Sequence, residues 1–468
     1  AAPLVGMTGA FPIAAALGTG AAAPGAYLMV GLTLLLFSVG YAAMSQQVTN
    51  AGAFFAYIGK GLGRAWGMGS AYVSLLAYLS IQLAIFGFFG AVLSSQVPGL
   101  TWWAASLIAW LAVTVLSLFK VDVGAKLLGV LMVLEVLCLL ITSLAILING
   151  GPEGVQFWAS FNPSAILAGG LNGSAGIAFA FAFASFIGFE ATAIYGEESK
   201  NPKQSVPKAT YLAVIVITAL FAITSFAIIT GLGNSSAVDK IMKLSTVNNA
   251  PLADPAAVLF SLATQYVGQW MADVMGVLVL SSLFAGLLAF QNSASRYFFA
   301  LSRAGALPTL LSYVNLRGAP SKASIVTSVL TGLVIVIFAV TGLDPVLNLF
   351  YWTSAIAVVA IVLIEILVCL AVMVYFSKSN SNPSLWKVKI APFIAAIGLI
   401  VGEYLLMSRF GLLAGTVAEG VDPTTTAWGL SGLGWCLVLS PFVLLLLGVL
   451  VNLVKAPTHS SLVEDVLQ

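Results

Sequence analysis

Twelve stretches of this chain run for roughly 20 residues each with few charged side chains, which is the length a helix needs to cross a bilayer. They centre on 4–18, 25–48, 67–93, 102–119, 125–149, 172–195, 209–232, 266–291, 323–342, 346–376, 391–410 and 428–454. Charged residues make up 7% of the chain and hydrophobic ones 60%, whereas a soluble domain carries roughly a quarter charged. So few charges cannot furnish a water-facing surface. Lipid offers no hydrogen bonds, so spanning segments must be helices or closed barrels. Barrel strands are short and alternate in polarity, while these runs are continuous. The sequence therefore predicts an all-α polytopic membrane protein with about 12 transmembrane helices.

The basic residues test that count. With odd runs passing from inside to outside, fifteen Lys and Arg residues fall inside, from Lys60 and Arg64 to Lys389 and Lys455. Only Lys240, Lys243 and Arg409 fall outside, completing the eighteen in the chain. A miscounted helix would scramble this alternation, which is the positive-inside pattern. Both termini are expected on the cytoplasmic side. Trp102, Trp103, Trp158, Trp270 and Trp428 stand near run ends, as in an interfacial belt.

Composition also excludes functions. A net charge of +2 without a basic, aromatic-interleaved patch speaks against nucleic acid. Cys138, Cys369 and Cys436 sit singly in apolar runs, and the one histidine, His459, lies in the polar tail. Neither a disulfide framework nor a metal site is expected, and no cofactor. An enzyme would need a nucleophile–base pair or metal cluster within the membrane, and no buried histidine is there to build one. A channel would want a filter or rings of like residues. No charged segment precedes the first run as in a cleavable signal peptide; whether a half-helix precedes it is left open.

Two runs are interrupted. The first holds Pro3, Gly6, Met7, Thr8, Gly9 and Pro12; the sixth holds Phe186-Ile187-Gly188-Phe189-Glu190 and a polar end at 196–202. Glycine and proline free backbone groups in a helix, and lipid tolerates these only beside a protein-lined cavity. The alternative is that the glycines serve close helix packing. The interruptions are five runs apart, each heading a group of five, and matched interruptions point to a transporter's binding site.

Those residues resemble a known family. Phe186 through Glu190, the polar Glu197-Glu198-Ser199-Lys200-Asn201-Pro202, and Pro207 beyond are similar to the sixth helix of the amino acid–polyamine–organocation (APC) transporters. Asn50 through Tyr57 after the second run, and Ser295-Arg296 through Pro308 after the eighth, match as well. The resemblance covers nearly the whole chain and implies a LeuT-type fold. In that fold two inverted five-helix repeats (1–149 and 172–376) are followed by two extra helices (391–454) and a cytoplasmic tail (455–468), with helices 1 and 6 discontinuous. It implies alternating-access transport of amino acids or amines, by proton symport or by exchange, in a prokaryotic cytoplasmic membrane. It puts Gly6, Met7, Thr8, Gly9, Phe186, Ile187, Gly188 and Phe189 around the substrate, with walls from Gln82, Phe290 and Ser354, and Tyr351 and Trp352 nearer the outside. Two departures stand out. Gly6 to Phe11 is one residue longer than the usual first-helix pattern. The usual aromatic gate position is Ala184, so Phe183, beside it, and Phe189 are the gate candidates.

The chemistry follows from charge. A zwitterion costs several kcal/mol to desolvate unless both poles find partners, and the ends of half-helices supply them from the backbone. Thr8 and Gly9 are expected to serve the carboxylate, and carbonyls near Phe186 and Ile187 the amine. Four acids lie within spans: Glu135, Glu190, Glu365 and Glu403. An ionised one at the bilayer centre costs about 2.5–3.5 kcal/mol. Glu190 is either a proton carrier or a tie for the unwound backbone. Glu135 stands where many proton-coupled relatives carry a lysine; it is a coupling residue or a buried neutral acid. Residues 283–290 of the eighth run carry no hydroxyl, although Ser281 and Ser282 precede them, which favours H⁺ over Na⁺. Glu365 and Glu403 are expected to be packing or inter-helix hydrogen-bond partners. Substrate identity, symport versus exchange and oligomeric state stay open.

Overall fold

The computed structural model describes residues 3–48, 53–119, 125–170, 173–194, 201–303, 305–316, 318–379, 383–423 and 426–455. All twelve apolar runs fall on helix. The first two form one 43-residue apolar stretch, Pro3–Ser45, divided where Gly18 leaves helical geometry (φ −99°, ψ −113°) and Gly20 takes φ +58°. Pro24 then opens the second span, Ala23–Ser45. The others are Arg64–Gln96, the shorter Trp102–Ser117, Ala125–Asn149, the pair Ala175–Phe186 and Ala191–Ile194, Pro202–Leu232, Gln269–Arg303, Ser321–Val340, Tyr351–Lys378 (entered through Pro345–Phe350), Ala391–Ser408 and Gly432–Lys455. No named strand occurs among the described residues; two isolated bridges, Val247 to Ala250 and Val417 to Leu430, pin loops. The polar end at 195–200, residues 49–52 and the tail beyond Lys455 lie outside the described residues.

Packing pairs each of the first four spans with the one five places on. The first span lies against the sixth, the second against the seventh, the third against the eighth and the fourth against the ninth. The third and tenth spans are buried along most of their length and form the centre. The eleventh covers the tenth and sixth, and the twelfth lies on the third. Lipid gives no hydrophobic drive between helices, so close approach through small residues supplies the contact. A Cβ on Gly61 would meet the Ala371 carbonyl at 2.3 Å, and one on Gly176 the Leu405 carbonyl at 2.0 Å.

Between the seventh and eighth spans the chain forms two helices that the apolar runs do not announce, Ala237–Leu244 and Ala256–Tyr266. The second packs on the eighth and fifth spans and on Gly6–Ala10. The turn before it reaches the tenth span, where the Tyr351 hydroxyl donates to the Leu252 carbonyl at 3.1 Å.

Candidate functional site

The two interrupted runs take different forms. The sixth is broken outright: Ala175–Phe186 ends, Ile187 is extended (φ −51°, ψ 131°), and Gly188 takes φ +110°, where an L side chain is strained. Helix resumes at Ala191. The first is not unwound at Gly6–Ala10. Those residues keep helical dihedrals in a π-helical turn, with the Phe11 N–H bonded to the Gly6 carbonyl. Spreading the glycines through one widened turn loosens the helix without opening it.

Glu190 completes the sixth-span break. Its carboxylate accepts the Gly188 N–H at 2.8 Å and the Tyr78 hydroxyl at 3.0 Å, while its carbonyl accepts the Tyr41 hydroxyl at 2.9 Å. Second, third and sixth spans are thereby tied at one buried residue, Glu190. This is the structural half of the two roles expected of Glu190, and sequence gave no sign of Tyr78 or Tyr41.

Beside the break lies a cavity of about 350 Å³. The first span contributes Pro3, Val5, Gly6 and Ala10, and the third Tyr78, Ile81 and Ile85. The broken sixth contributes Phe181, Ala184, Ser185, Ile187 and Gly188, and the tenth Phe350 and Ser354. Glu135 of the fifth span lines it too, 3% exposed, accepting the Ser282 hydroxyl at 2.7 Å. This hydroxyl comes from just ahead of residues 283–290, so the eighth span does present one to Glu135, and the preference for H⁺ drawn from its absence loses that support.

Of the residues expected around a substrate, Gly6, Ile187, Gly188, Phe290 and Ser354 line the cavity. The Ser354 hydroxyl is buried and has no partner among the described residues. Met7, Thr8 and Gly9 lie on other faces of the first helix. The Thr8 hydroxyl donates to the Leu4 carbonyl at 2.8 Å, and a Cβ on Gly9 would stand 3.0 Å from the Phe88 ring. Phe186 packs edge-on against Phe221, and Phe189 against Phe37. Gln82 is turned to the eighth span, donating to Gln291 at 2.8 Å; Gln291 donates onward to the Ser324 carbonyl and the Ser328 hydroxyl.

Of the sixth span's aromatic residues, the one lining the cavity is Phe181, edge to face with Tyr351 at 6.3 Å. Phe183 is directed at Gly402 in the eleventh span. They are two positions apart, a change of helical face that the run's uniform apolarity conceals. Glu365 and Glu403 are buried away from the cavity lining. The inter-helix hydrogen bonds expected of them are missing at Glu365 Oε2 and at both Glu403 carboxylate oxygens, among the described residues.

The comparisons with known proteins agree with this architecture. The model of the family described as amino acid permease matches residues 4–448. The branched-chain amino acid permease of Bacillus subtilis is 24% identical over 95% of this chain and 89% of its own length. The serine/threonine exchanger of the same organism is 23% identical over 85% and 84%. An uncharacterized transporter of Legionella pneumophila is 30% identical, over 36% of this chain and only 32% of its own length. The aromatic amino acid transport protein of Escherichia coli K12 is 24% identical over 65% and 64%. With a match running from the first run into the twelfth, the chain belongs to the amino acid permease family of integral membrane transporters.

Proposed function

We propose that this protein is a secondary active transporter of amino acids that works by alternating access, with a proton carried on Glu135. The observation that carries the reading is the cavity itself. The broken helix brings the Ile187 carbonyl to its wall, the Gly188 N–H and carbonyl being bonded to Glu190 and to the Ala191 N–H, and among the described residues one carboxyl, Glu135, stands there with the Ser282 hydroxyl. A zwitterion is held by such poles with few charged side chains. A buried carboxyl is a means of admitting one cation with each cycle. The pairing of spans five places apart supports two repeats, 1–149 and 172–376, moving against each other, with 391–454 as additional helices. The charge bias supports cytoplasmic termini, and the bacterial relatives support a bacterial cytoplasmic membrane.

Exchange is the second reading, favoured by the relative that is an exchanger of serine and threonine. Na⁺ is the other candidate ion, because a carboxylate with a hydroxyl is an oxygen donor set that suits it. The test is uptake of labelled amino acids and polyamines into proteoliposomes, with imposed H⁺ or Na⁺ gradients, for wild type and Glu135→Gln. Gradient-driven uptake that the variant loses while keeping exchange is the expected result, and the gradient that works identifies the ion. Uptake driven only by preloaded solute, and unchanged in Glu135→Gln, would make the protein an exchanger with Glu135 a structural acid.

A further inference from the structure

Glu365 of the tenth span and Glu403 of the eleventh stand outside the cavity, and the transport reading makes no use of them. They are 2% and 6% exposed, in two spans that pack along each other. Glu365 interacts with Glu190 and with Glu403, so three carboxyls of the sixth, tenth and eleventh spans share one buried region. Tyr41 of the second span acts on Glu365 as well, with Cys369 one turn on in its own helix. Behind Tyr41 stands Tyr57 of the short helix Phe54–Leu62, and Tyr78 of the third span is bonded to Glu190. No lysine, arginine or histidine of the described residues is among the groups acting on either acid. Arg409, just past the eleventh span, donates to the Gly173 and Pro423 carbonyls.

The three acids are not equally provided for. Both Glu190 oxygens accept a donor, the Gly188 N–H and the Tyr78 hydroxyl, which suits an ionised carboxylate. Glu365 Oε2 and both Glu403 oxygens are buried with no partner among the described residues. A carboxylate taken out of water without a cation or donors is among the most costly groups to bury. A negative charge at Glu190 makes a second one at Glu365 costlier still. Packing alone does not call for acids here, since apolar side chains of similar volume are often as stable or more so. The orphaned oxygens therefore point to a ligand, and a proton is the one that cancels the charge on each acid.

We propose that Glu365 and Glu403 form a proton-binding site separate from Glu135, and that transport proceeds only while both hold their protons. The protons come from water and stay on the carrier through the cycle, unlike one that travels with the substrate. The eleventh span covers both the tenth and the broken sixth. A charge arising at Glu365 repels Glu190 and disturbs the tie that orders the break, and with it the cavity wall at Ile187 and Gly188. The site thus makes the carrier sensitive to alkaline pH from outside its substrate cavity.

The experiment is counterflow in proteoliposomes held at one pH on both sides, using the amino acid that wild type takes up best, from neutral to alkaline pH. Wild type is compared with two double variants, Glu365→Gln with Glu403→Gln and Glu365→Met with Glu403→Met. With no gradient imposed and Glu135 present throughout, the comparison isolates the pair. Wild-type counterflow should fall by about 10-fold per pH unit once the site loses a proton. At the alkaline end both double variants should keep at least about 10-fold more of their neutral rate than wild type does of its own. Infrared spectra at neutral pH should show the C=O stretch of protonated carboxyls, reduced in both double variants. An unchanged pH profile, or an unchanged carboxyl band, in both double variants overturns the proposal. So do double variants that are both inactive at every pH, and wild-type alkaline activity restored by Na⁺, which would assign the oxygens to a metal cation. Wild type that shows no counterflow of any amino acid overturns the transport reading and the gating role with it.

Discussion

The carboxyl of Glu190 closes the gap left where the sixth span comes apart, and its removal has a calculable cost. Glu190→Ala deletes the acceptors of the Gly188 N–H and the Tyr78 hydroxyl, both at a fully buried residue. Each donor left unpaired costs about 1–3 kcal/mol, so the pair costs about 2–6 kcal/mol by the same rule. That is a large part of the 5–15 kcal/mol or so that separates folded from unfolded protein. Glu190→Gln is a different perturbation. Its amide oxygen can accept from Gly188, and its NH₂ can donate to the Tyr78 oxygen once that hydroxyl rotates. The expected loss is below about 1 kcal/mol, in line with the small net worth of one satisfied bond exchanged for another. Tyr78→Phe should fall between, at about 1–3 kcal/mol, since one carboxylate oxygen loses its donor. Unfolding in mixed dodecyl-maltoside and SDS micelles, followed by tryptophan fluorescence, measures all three. A glutamine variant as unstable as the alanine variant, or an alanine variant within about 1 kcal/mol of wild type, would refute the tie as the organiser of the break. A double-mutant cycle of Tyr78→Phe with Glu190→Ala should return a coupling of about 0.5–3 kcal/mol.

Two further outcomes are expected away from transport. Gly176→Ala must push the sixth and eleventh spans apart, because its Cβ would meet backbone at 2.0 Å. A loss of about 1–3 kcal/mol is expected from such overpacking, against none for Gly286→Ala, whose Cβ would meet only Ile85 Cδ1 at 3.4 Å, measured in the same titration. In the loop after the fifth span, the Ser235 hydroxyl and N–H both donate to Glu153. They hold its carboxyl below the ordinary carboxylate range. A depressed folded-state value means that the tie contributes fully above the unfolded value of about 4.3 and is lost as pH falls through the lower, folded one. Amide exchange at Ser235, corrected for its intrinsic rate, should therefore lose protection only under strong acid. Glu153→Gln should remove that pH dependence.

How much of this was legible beforehand depends on what breaks the symmetry of an apolar helix. Length and charge suffice to find the spans, because lipid punishes an unpaired backbone or a stray charge wherever it falls. The break in the sixth span was legible for a related reason: Gly188 with Glu190 beside it is too polar to be only packing. Rotation is another matter. A helix in water shows its inner face as an apolar stripe, but a helix with lipid outside and side chains within is apolar all round. Nothing in Phe181-Ala182-Phe183-Ala184 says that Phe181 and Ala184 face the cavity while Phe183 faces Gly402. The same ambiguity separated Gly6 and Ala10, which line the cavity, from Met7, Thr8 and Gly9 between them.

The scattered polar residues are the phase markers such helices do carry, and they identify faces only in pairs. Tyr78 shows its direction through Glu190, Ser282 through Glu135, and Gln82 through Gln291. The partners are 112, 147 and 209 residues apart, separations with no local pattern to reveal them. Once the Tyr78 face is fixed, Ile81 and Ile85 follow at three and seven residues, spacings that lie on one side of a helix. Ser282 fixes Gly286 in the same way at four. The apolar flank of the cavity is thus oriented by two polar contacts, Tyr78 with Glu190 and Ser282 with Glu135. That is why the acid ties at Glu190 and Glu135 belong to one arrangement of the third and eighth spans.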